Sequence, residues 1–309
     1  MSRIMRHGRA TNPRTALSTR AKAVVAAMLC GLMTVGATAG CGSPDVGGDS
    51  GGSAETASNV GTRTPEQIKK DGTIHIGTFA DKAPFGSLTG KNTYQGYDIT
   101  YGERLAKDMG VKLEWVPVDA ASRVEFLKSG KVDIILANFT VTKDRAKKVD
   151  FANPYMQVAF GAVSPTDHPV KKVSDLDNAK ILVVKGTSQD AWIQEHHPEW
   201  KVTKFEEYAE VTSALADGRG DVWITDNTEA VAFTRQNKKF VTGITSFGDK
   251  ATIAPAVHKG NDPLRKWIND DLVKLGKEQF FHKNFKETLE PVYGDTIKPD
   301  QLVIEGGRK

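Results

Sequence analysis

A chain of 309 residues with 42 Lys and Arg, 38 Asp and Glu and only 2 cysteines has too few thiols for a disulfide scaffold, so its stability must come from a buried core. The surplus of positive charge sits at the front, where Arg3, Arg6, Arg9, Arg14, Arg20 and Lys22 are met by no acidic residue. Taking these six from 42 leaves 36 bases against 38 acids, a net of about −2, so the basic isoelectric point gives no reason to expect a nucleic-acid partner.

The basic stretch is followed by an apolar segment, residues 23–39 (AVVAAMLCGLMTVGATA). It is interrupted by Gly and Thr and falls short of the roughly 20 residues that span a membrane, so it reads as a secretory leader. It ends Thr38-Ala39-Gly40-Cys41, which resembles a bacterial lipoprotein signal: small residues ahead of a cysteine that becomes lipidated and N-terminal. Thr38 departs from that pattern, since an aliphatic residue is more usual there. The expectation is a signal peptide over 1–40, a lipid anchor on Cys41, and a protein held on the extracytoplasmic face of the cell membrane. Cys30 would leave with the leader, so the exported domain would keep no free thiol.

Residues 42–62 (GSPDVGGDSGGSAETASNVGT) are a flexible linker by composition. Within it, Gly48-Asp49-Ser50-Gly51-Gly52 spells the string around the nucleophile of trypsin-like proteases. A serine nucleophile needs a base oriented by a third group on a rigid scaffold. Here only the leader, with His7, lies upstream, and no catalytic residue is assigned.

Beyond the linker, short apolar runs alternate with helical patterns. Thr73-Ile74-His75-Ile76 predicts a strand; Tyr101, Leu105 and Met109 share a helical face that ends at Gly110. Residues 111–115 alternate as a strand does. Ser122 and Glu125 have the spacing of a capping box, opening a helix that stops at Gly130, and residues 132–136 form a buried strand. A second set follows from about Val173. It has a strand over 181–184, a helix opened by Gly186-Thr187-Ser188, an alternating stretch over 200–205, a helix over 209–216, and a strand Val222-Trp223-Ile224 entering a helix at Asp226-Asn227. Arg219-Gly220-Asp221 is expected to be the turn into that strand, and His196-His197, lacking a second ligand pair, a solvated loop with no metal. The final helix carries Leu264, Trp267, Ile268, Leu272 and Leu275 on one side, with Pro263 first and Asp262 as its cap.

This order implies an α/β protein of two lobes, each a mostly parallel sheet flanked by helices, with the ligand cleft between them. The first lobe is expected to take residues 63–157 and 253–309, the second 158–252, with a continuous crossing segment over 155–163.

Several strings then carry a resemblance over essentially all of 63–309: Gly77-Thr78-Phe79 with Ala83-Pro84-Phe85, Gln95-Gly96-Tyr97-Asp98, Ser129-Gly130-Lys131-Val132-Asp133-Ile134, and above all residues 138–145 (NFTVTKDR) running into 149–155 (VDFANPY). In order and spacing they resemble the family 3 solute-binding lipoproteins of ABC importers for polar amino acids, a periplasmic-binding-protein-like fold of type II. The stretches 123–142, 253–260 and 278–307 resemble the cysteine-binding branch. The resemblance implies a monomer that needs no cofactor and whose partners are an amino acid ligand, a transporter permease and, through its lipid, the membrane.

The chemistry asks for a planar cation opposite an anion, because a free amino acid carries a carboxylate and an ammonium on one carbon. Arg145 can hold the carboxylate through two parallel charge-assisted hydrogen bonds, and the family places its carboxylate-binding arginine here. Thr140 adds a hydroxyl and Asn138 a backbone carbonyl for the ammonium. From the other lobe, the helix start at Thr187 and Ser188 offers backbone N–H groups to the carboxylate, and Asp226 matches the family's ammonium-binding aspartate. Arg123, 22 positions before Arg145, matches the second arginine of acidic-amino-acid binders and is also found in the cysteine-binding branch. Phe79 and Phe85 are candidates for the cleft wall, and Lys82 for its rim. Small residues at Ala120 and Ala121, where basic-amino-acid and glutamine binders have an aromatic wall, argue against long cationic ligands.

Three functions follow: capture of cysteine, or of glutamate or aspartate, for an importer; a cyclohexadienyl dehydratase-like enzyme on the same fold, for which no His or Glu falls at the anchor positions; and a sensory or adhesive surface antigen that still binds an amino acid.

Overall fold

The structure, a computed structural model, describes residues 62–308. The expected leader, Cys41 and the linker up to residue 61 lie outside the described residues. Among the described residues no helix is long and apolar enough to cross a membrane.

Two five-stranded sheets organise the chain. The first has the order Lys112–Pro117, Thr73–Thr78, Ile134–Ile135, Ala256–His258, Val149–Phe151; the second has Lys201–Phe205, Lys180–Val184, Val222–Asp226, Met156–Pro165, Phe240–Ile253. In each, the first two pairings are parallel and the last two antiparallel. The parallel part is the one the alternating strand and helix patterns predict. The antiparallel strands are those that pass between lobes, where no helical crossover intervenes to force parallel pairing.

Burial follows the sequence pattern. The edge strand Lys112–Pro117 alternates exposed and half-buried residues, whereas Ile181, Leu182, Val183 and Val184 are all buried, since helices cover both faces of their sheet. In the helix Tyr97–Met109 the residues Tyr97, Tyr101, Leu105 and Met109 face the core, and Gly110 ends it in the left-handed region (φ 77°). Leu264, Ile268, Leu272 and Leu275 of the helix Asp262–Lys277 join the same core.

Three local expectations need correction. The Ser122 and Glu125 capping box does not form: Ser122 is helical (φ −81°, ψ −14°), its N–H donates to Asp119 Oδ1 at 2.8 Å, and Glu125 pairs with Lys128. The cap of the last long helix is Asn261, whose Oδ1 accepts from the Leu264 N–H at 3.3 Å, while Asp262 is already helical and pairs with Arg265. His196 and His197 are not a free loop: His196 stacks on Trp192 (4.9 Å) and His197 on Trp200 (3.9 Å). Arg219-Gly220-Asp221 does lead into Val222–Asp226, and Asp221 accepts from the Lys180 N–H at 2.7 Å.

The lobes meet at two crossing strands. Val141 N–H donates to Thr252 O (2.8 Å), Ala254 N–H to Phe139 O (3.2 Å) and Tyr155 N–H to Ile253 O (3.0 Å), so the segment carrying residues 138–141 is stitched to the crossover. An apolar cluster also spans both lobes, joining Phe79, Leu127 and Phe139 to Leu182, Tyr208 and Trp223.

Candidate functional site

The segment after Ile134–Ile135 leaves the first sheet at its carboxyl end and turns at Asn138, whose positive φ of 44° is one of the few left-handed conformations Asn tolerates. Asn138 N–H donates to Asp98 Oδ2 at 2.7 Å, and Tyr155 OH donates to Asp98 Oδ1 at 2.7 Å. Burial pushes the Asp98 carboxyl up to about 6 against the pull of those two hydrogen bonds. This anchor fixes the loop that presents Thr140 and Arg145.

Arg123 and Arg145 come together there. Arg123, 2% exposed, donates through Nε to Ala120 O (3.0 Å), through Nη1 to Ala137 O (2.9 Å) and Asn138 O (3.4 Å), and through Nη2 to Gly186 O of the second lobe (3.4 Å). Arg145 donates through Nη1 to Thr140 O (2.7 Å) and through Nη2 to the same Gly186 O (3.0 Å). Both guanidiniums lie over the Phe139 ring, at 4.4 and 4.7 Å, and Arg123 also over Phe79 at 5.3 Å. Among the described residues neither has a carboxylate within ion-pair distance, so burial pushes Arg123 down to about 10 and, together with the positive charge of Arg123, lowers Arg145 well below its ordinary value. Arg145 thus pairs with neither Asp144 nor Asp150, which bind Lys147 and Lys259. The Asn138 carbonyl, expected to face an ammonium, faces Arg123 instead, and both polar atoms of its buried side-chain amide have no hydrogen-bond partner among the described residues.

The second lobe closes against this corner at Gly186, which takes a positive φ of 74°; a Cβ there would stand 2.5 Å from Ala121 Cα, so a side chain would hold the lobes apart. Thr187 caps the helix Ser188–His196: its Oγ1 accepts from the Asp190 N–H (3.2 Å) and donates to Val184 O (2.7 Å), which commits its hydroxyl to the turn. Ser188 Oγ donates to Thr140 Oγ1 across the cleft at 3.4 Å. Asp226, 5% exposed, ends the strand Val222–Asp226 and caps nothing with its side chain; its Oδ1 accepts from Gln189 Nε2 at 2.7 Å.

Lys82 belongs to this site and not to its rim. It is 1% exposed, its Nζ sits 3.8 Å over the Tyr208 ring and 3.7 Å from Asp226, and it donates to Glu229, which also accepts from Thr225 Oγ1. Burial opposes its charge, but Glu229, Tyr208 and Asp226 outweigh burial and hold Lys82 above its ordinary value. Burial pushes Glu229 up to about 7, with Lys82 and Thr225 pulling back, and Tyr208 up to about 12. Phe79 meets Tyr208 edge-on at 5.3 Å within the apolar cluster that spans both lobes, while Phe85 is fully buried in the core of the first lobe.

Sequence reasoning missed Glu229, Gln189 and Tyr208 and left Lys82 undecided. Glu229 had a legible signal, lying three positions after Asp226 at a helix start, where such residues share a face. Gln189 follows directly on the Ser188 turn. Nothing in the local pattern marks Tyr208 or Lys82, which meet only across the cleft.

Residues 74–287 match the model of the bacterial extracellular solute-binding proteins, family 3. Among solved structures, the cysteine-binding protein of Campylobacter jejuni is 46% identical with a TM-score of 0.77, covering 78% of this chain and 98% of that one. The solute receptor for L-cysteine of Neisseria gonorrhoeae is 43% identical, also with a TM-score of 0.77, over 79% of this chain and all of the other. The glutamine-binding protein of a Bacillus subtilis ABC transporter is 30% identical over 274 residues, 87% of this chain and 98% of that protein.

Proposed function

Because the chain belongs to the bacterial extracellular solute-binding proteins of family 3, we propose that it captures a polar amino acid, L-cysteine before others, and delivers it to the permease of an ABC importer. The observation that carries this reading is the opposition of charge across one cleft: Arg123 and Arg145 from the first lobe, with no carboxylate at ion-pair distance among the described residues, and Asp226 from the second. Arg145 takes the α-carboxylate through paired N–H donors, helped by Ser188 and Thr140, while Asp226 takes the ammonium. Phe79 walls the pocket, Asn138 offers its unpaired amide, and Thr187 contributes through the backbone of the helix it caps. Since each ligand charge has its partner on a different lobe, a ligand stabilises the closed form by binding it more tightly than the open one.

The likeness to two cysteine-binding proteins above 40% identity favours cysteine. The small Ala120 and Ala121 provide no aromatic wall for a long cationic side chain. Glutamate or aspartate is the second choice, because Arg123 would accept a side-chain carboxylate. In this reading, lobe boundaries fall at 63–157 with 253–309 and at 158–252, the protein acts as a monomer without cofactor, and a lipid on Cys41, after removal of residues 1–40, holds it at the extracytoplasmic face of the membrane. Calorimetric titration with the twenty amino acids and cystine tests the ligand; saturable binding of glutamate or aspartate with none of cysteine would overturn the choice.

One observation favours an enzyme of the cyclohexadienyl dehydratase kind. Glu229 is a buried carboxyl pushed to about 7 in the cleft, the poise of a general acid or base. Its oxygen is engaged by Lys82 and Thr225, which ranks this reading second. Conversion of a cyclohexadienyl acid, followed by mass spectrometry, would reverse the ranking.

A further inference from the structure

Two arginines in one corner, Arg123 buried and Arg145 half-buried, are one more than an amino acid's α-carboxylate requires. Arg123 and Arg145 share a ring face on Phe139 and a single acceptor, Gly186 O, and neither meets a carboxylate at ion-pair distance among the described residues. The third cation of the cleft, Lys82, already has Glu229 and Asp226. With the carboxylate assigned to Arg145 and the ammonium to Asp226, the charge on Arg123 is left over. Arginine has only donors, so what faces it must accept hydrogen bonds. A thiol accepts weakly, whereas a thiolate is a full anion, and a neighbouring arginine lowers a thiol's pKa from about 8.5 into or below the neutral range.

We infer that the cleft holds L-cysteine as its thiolate, with Arg123 as the specificity-determining residue. This rests on the cysteine reading above. The S–H bond breaks heterolytically as the ligand docks: the electron pair stays on sulfur beside Arg123, and the proton goes to the bulk buffer. Other ionisable groups face Arg123 from the packed elements: Tyr208, Asp226, Asp119, Asp98 and Arg145, with Lys82 and Glu229 behind Asp226. Burial pushes Asp98 and Glu229 to about 6 and 7, so closure of the lobes can change their protonation as well. A control ligand with the same backbone but no ionisable side chain separates the two sources.

The experiment is calorimetry of the full chain at pH 7 in two buffers of different ionisation enthalpy, with L-cysteine, L-serine and S-methyl-L-cysteine, paired with ultraviolet difference spectra for thiolate absorbance. The expected result is about one more proton released with cysteine than with serine, and a thiolate band that appears on mixing. In Arg123→Gln the extra proton and the band should vanish and cysteine affinity should fall about tenfold or more, with serine affinity changed little. Cysteine bound with the same proton release as serine and no thiolate band overturns this inference and leaves the cysteine reading standing. No cysteine binding at all overturns that reading instead.

Discussion

The cleft contains two corners that bury cations in opposite ways. In the lysine corner, Lys82 of the first lobe is capped by a tyrosine ring and paired with two carboxylates of the second. In the arginine corner, two guanidiniums are held by a phenylalanine face and backbone carbonyls, with no carboxylate at ion-pair distance among the described residues. In the first corner two carboxylates face one lysine, so an anion is left to take a second cation, whereas the second holds positive charge that only an added anion balances. A buried ion pair contributes little over an apolar substitute, yet losing one partner leaves a costly lone charge. The lysine corner therefore ties the two lobes together within the protein, and in the function proposed above the arginine corner is where the ligand's carboxylate binds.

Lys82→Met gives the largest effect expected. It strands Glu229 and Asp226 without their cation and should lower stability by about 3–5 kcal/mol in urea unfolding without ligand. An unchanged midpoint would show that the two corners do not differ as described. Arg145→Ala should do the reverse: stability without ligand holds or rises, because a half-buried cation with no carboxylate at ion-pair distance among the described residues is removed, while amino-acid affinity drops by about 2–5 kcal/mol in calorimetry. Retained affinity would detach Arg145 from the carboxylate.

Asp98, behind the arginine corner, supplies a pH test. Burial raises its folded-state pKa from 3.8 to about 6, so the folded form holds its proton more tightly than the unfolded chain. The resulting stabilisation is fully present below about pH 4 and is lost as pH rises through about 6, and its size is about 3 kcal/mol. Urea midpoints of wild type and Asp98→Asn, compared between pH 4 and 7.5, should diverge by that amount as pH rises; parallel curves would mean that Asp98 does not titrate in this range. The smallest effect belongs to Thr187, whose hydroxyl caps its own helix. Thr187→Ala should cost about 1 kcal/mol of stability with less than about a twofold change in affinity. A larger loss of affinity would return its side chain to the pocket.

Much of this was legible in the chain. The helix face of Tyr101, Leu105 and Met109, its stop at Gly110, the fully apolar strand 181–184 and the helix opened after Thr187 all follow from local periodicity and capping chemistry. Arg145, Arg123, Thr140 and Asp226 could be named because each lies at the end of a strand or the start of a helix in a string of recognisable order. The two capping errors have a common cause. Ser122 loses its capping box to Asp119, and Asp262 loses its cap to Asn261, because several polar side chains within three residues compete for the same N–H groups. Spacing alone does not pick the winner.

The sequence by itself determined the two-lobed α/β fold and the family, and it named the residues proposed to grip a zwitterion, because these depend on hydrophobic period, turn chemistry and motif order. Only the tertiary structure decided that Lys82 is buried and paired with Glu229, that Asp226 is steadied by Gln189, and that both arginines converge on Gly186 O. Those facts join residues up to 147 positions apart across a cleft, and the state of a charge there is set by burial and by partners from the opposite lobe, neither of which a local stretch of chain encodes.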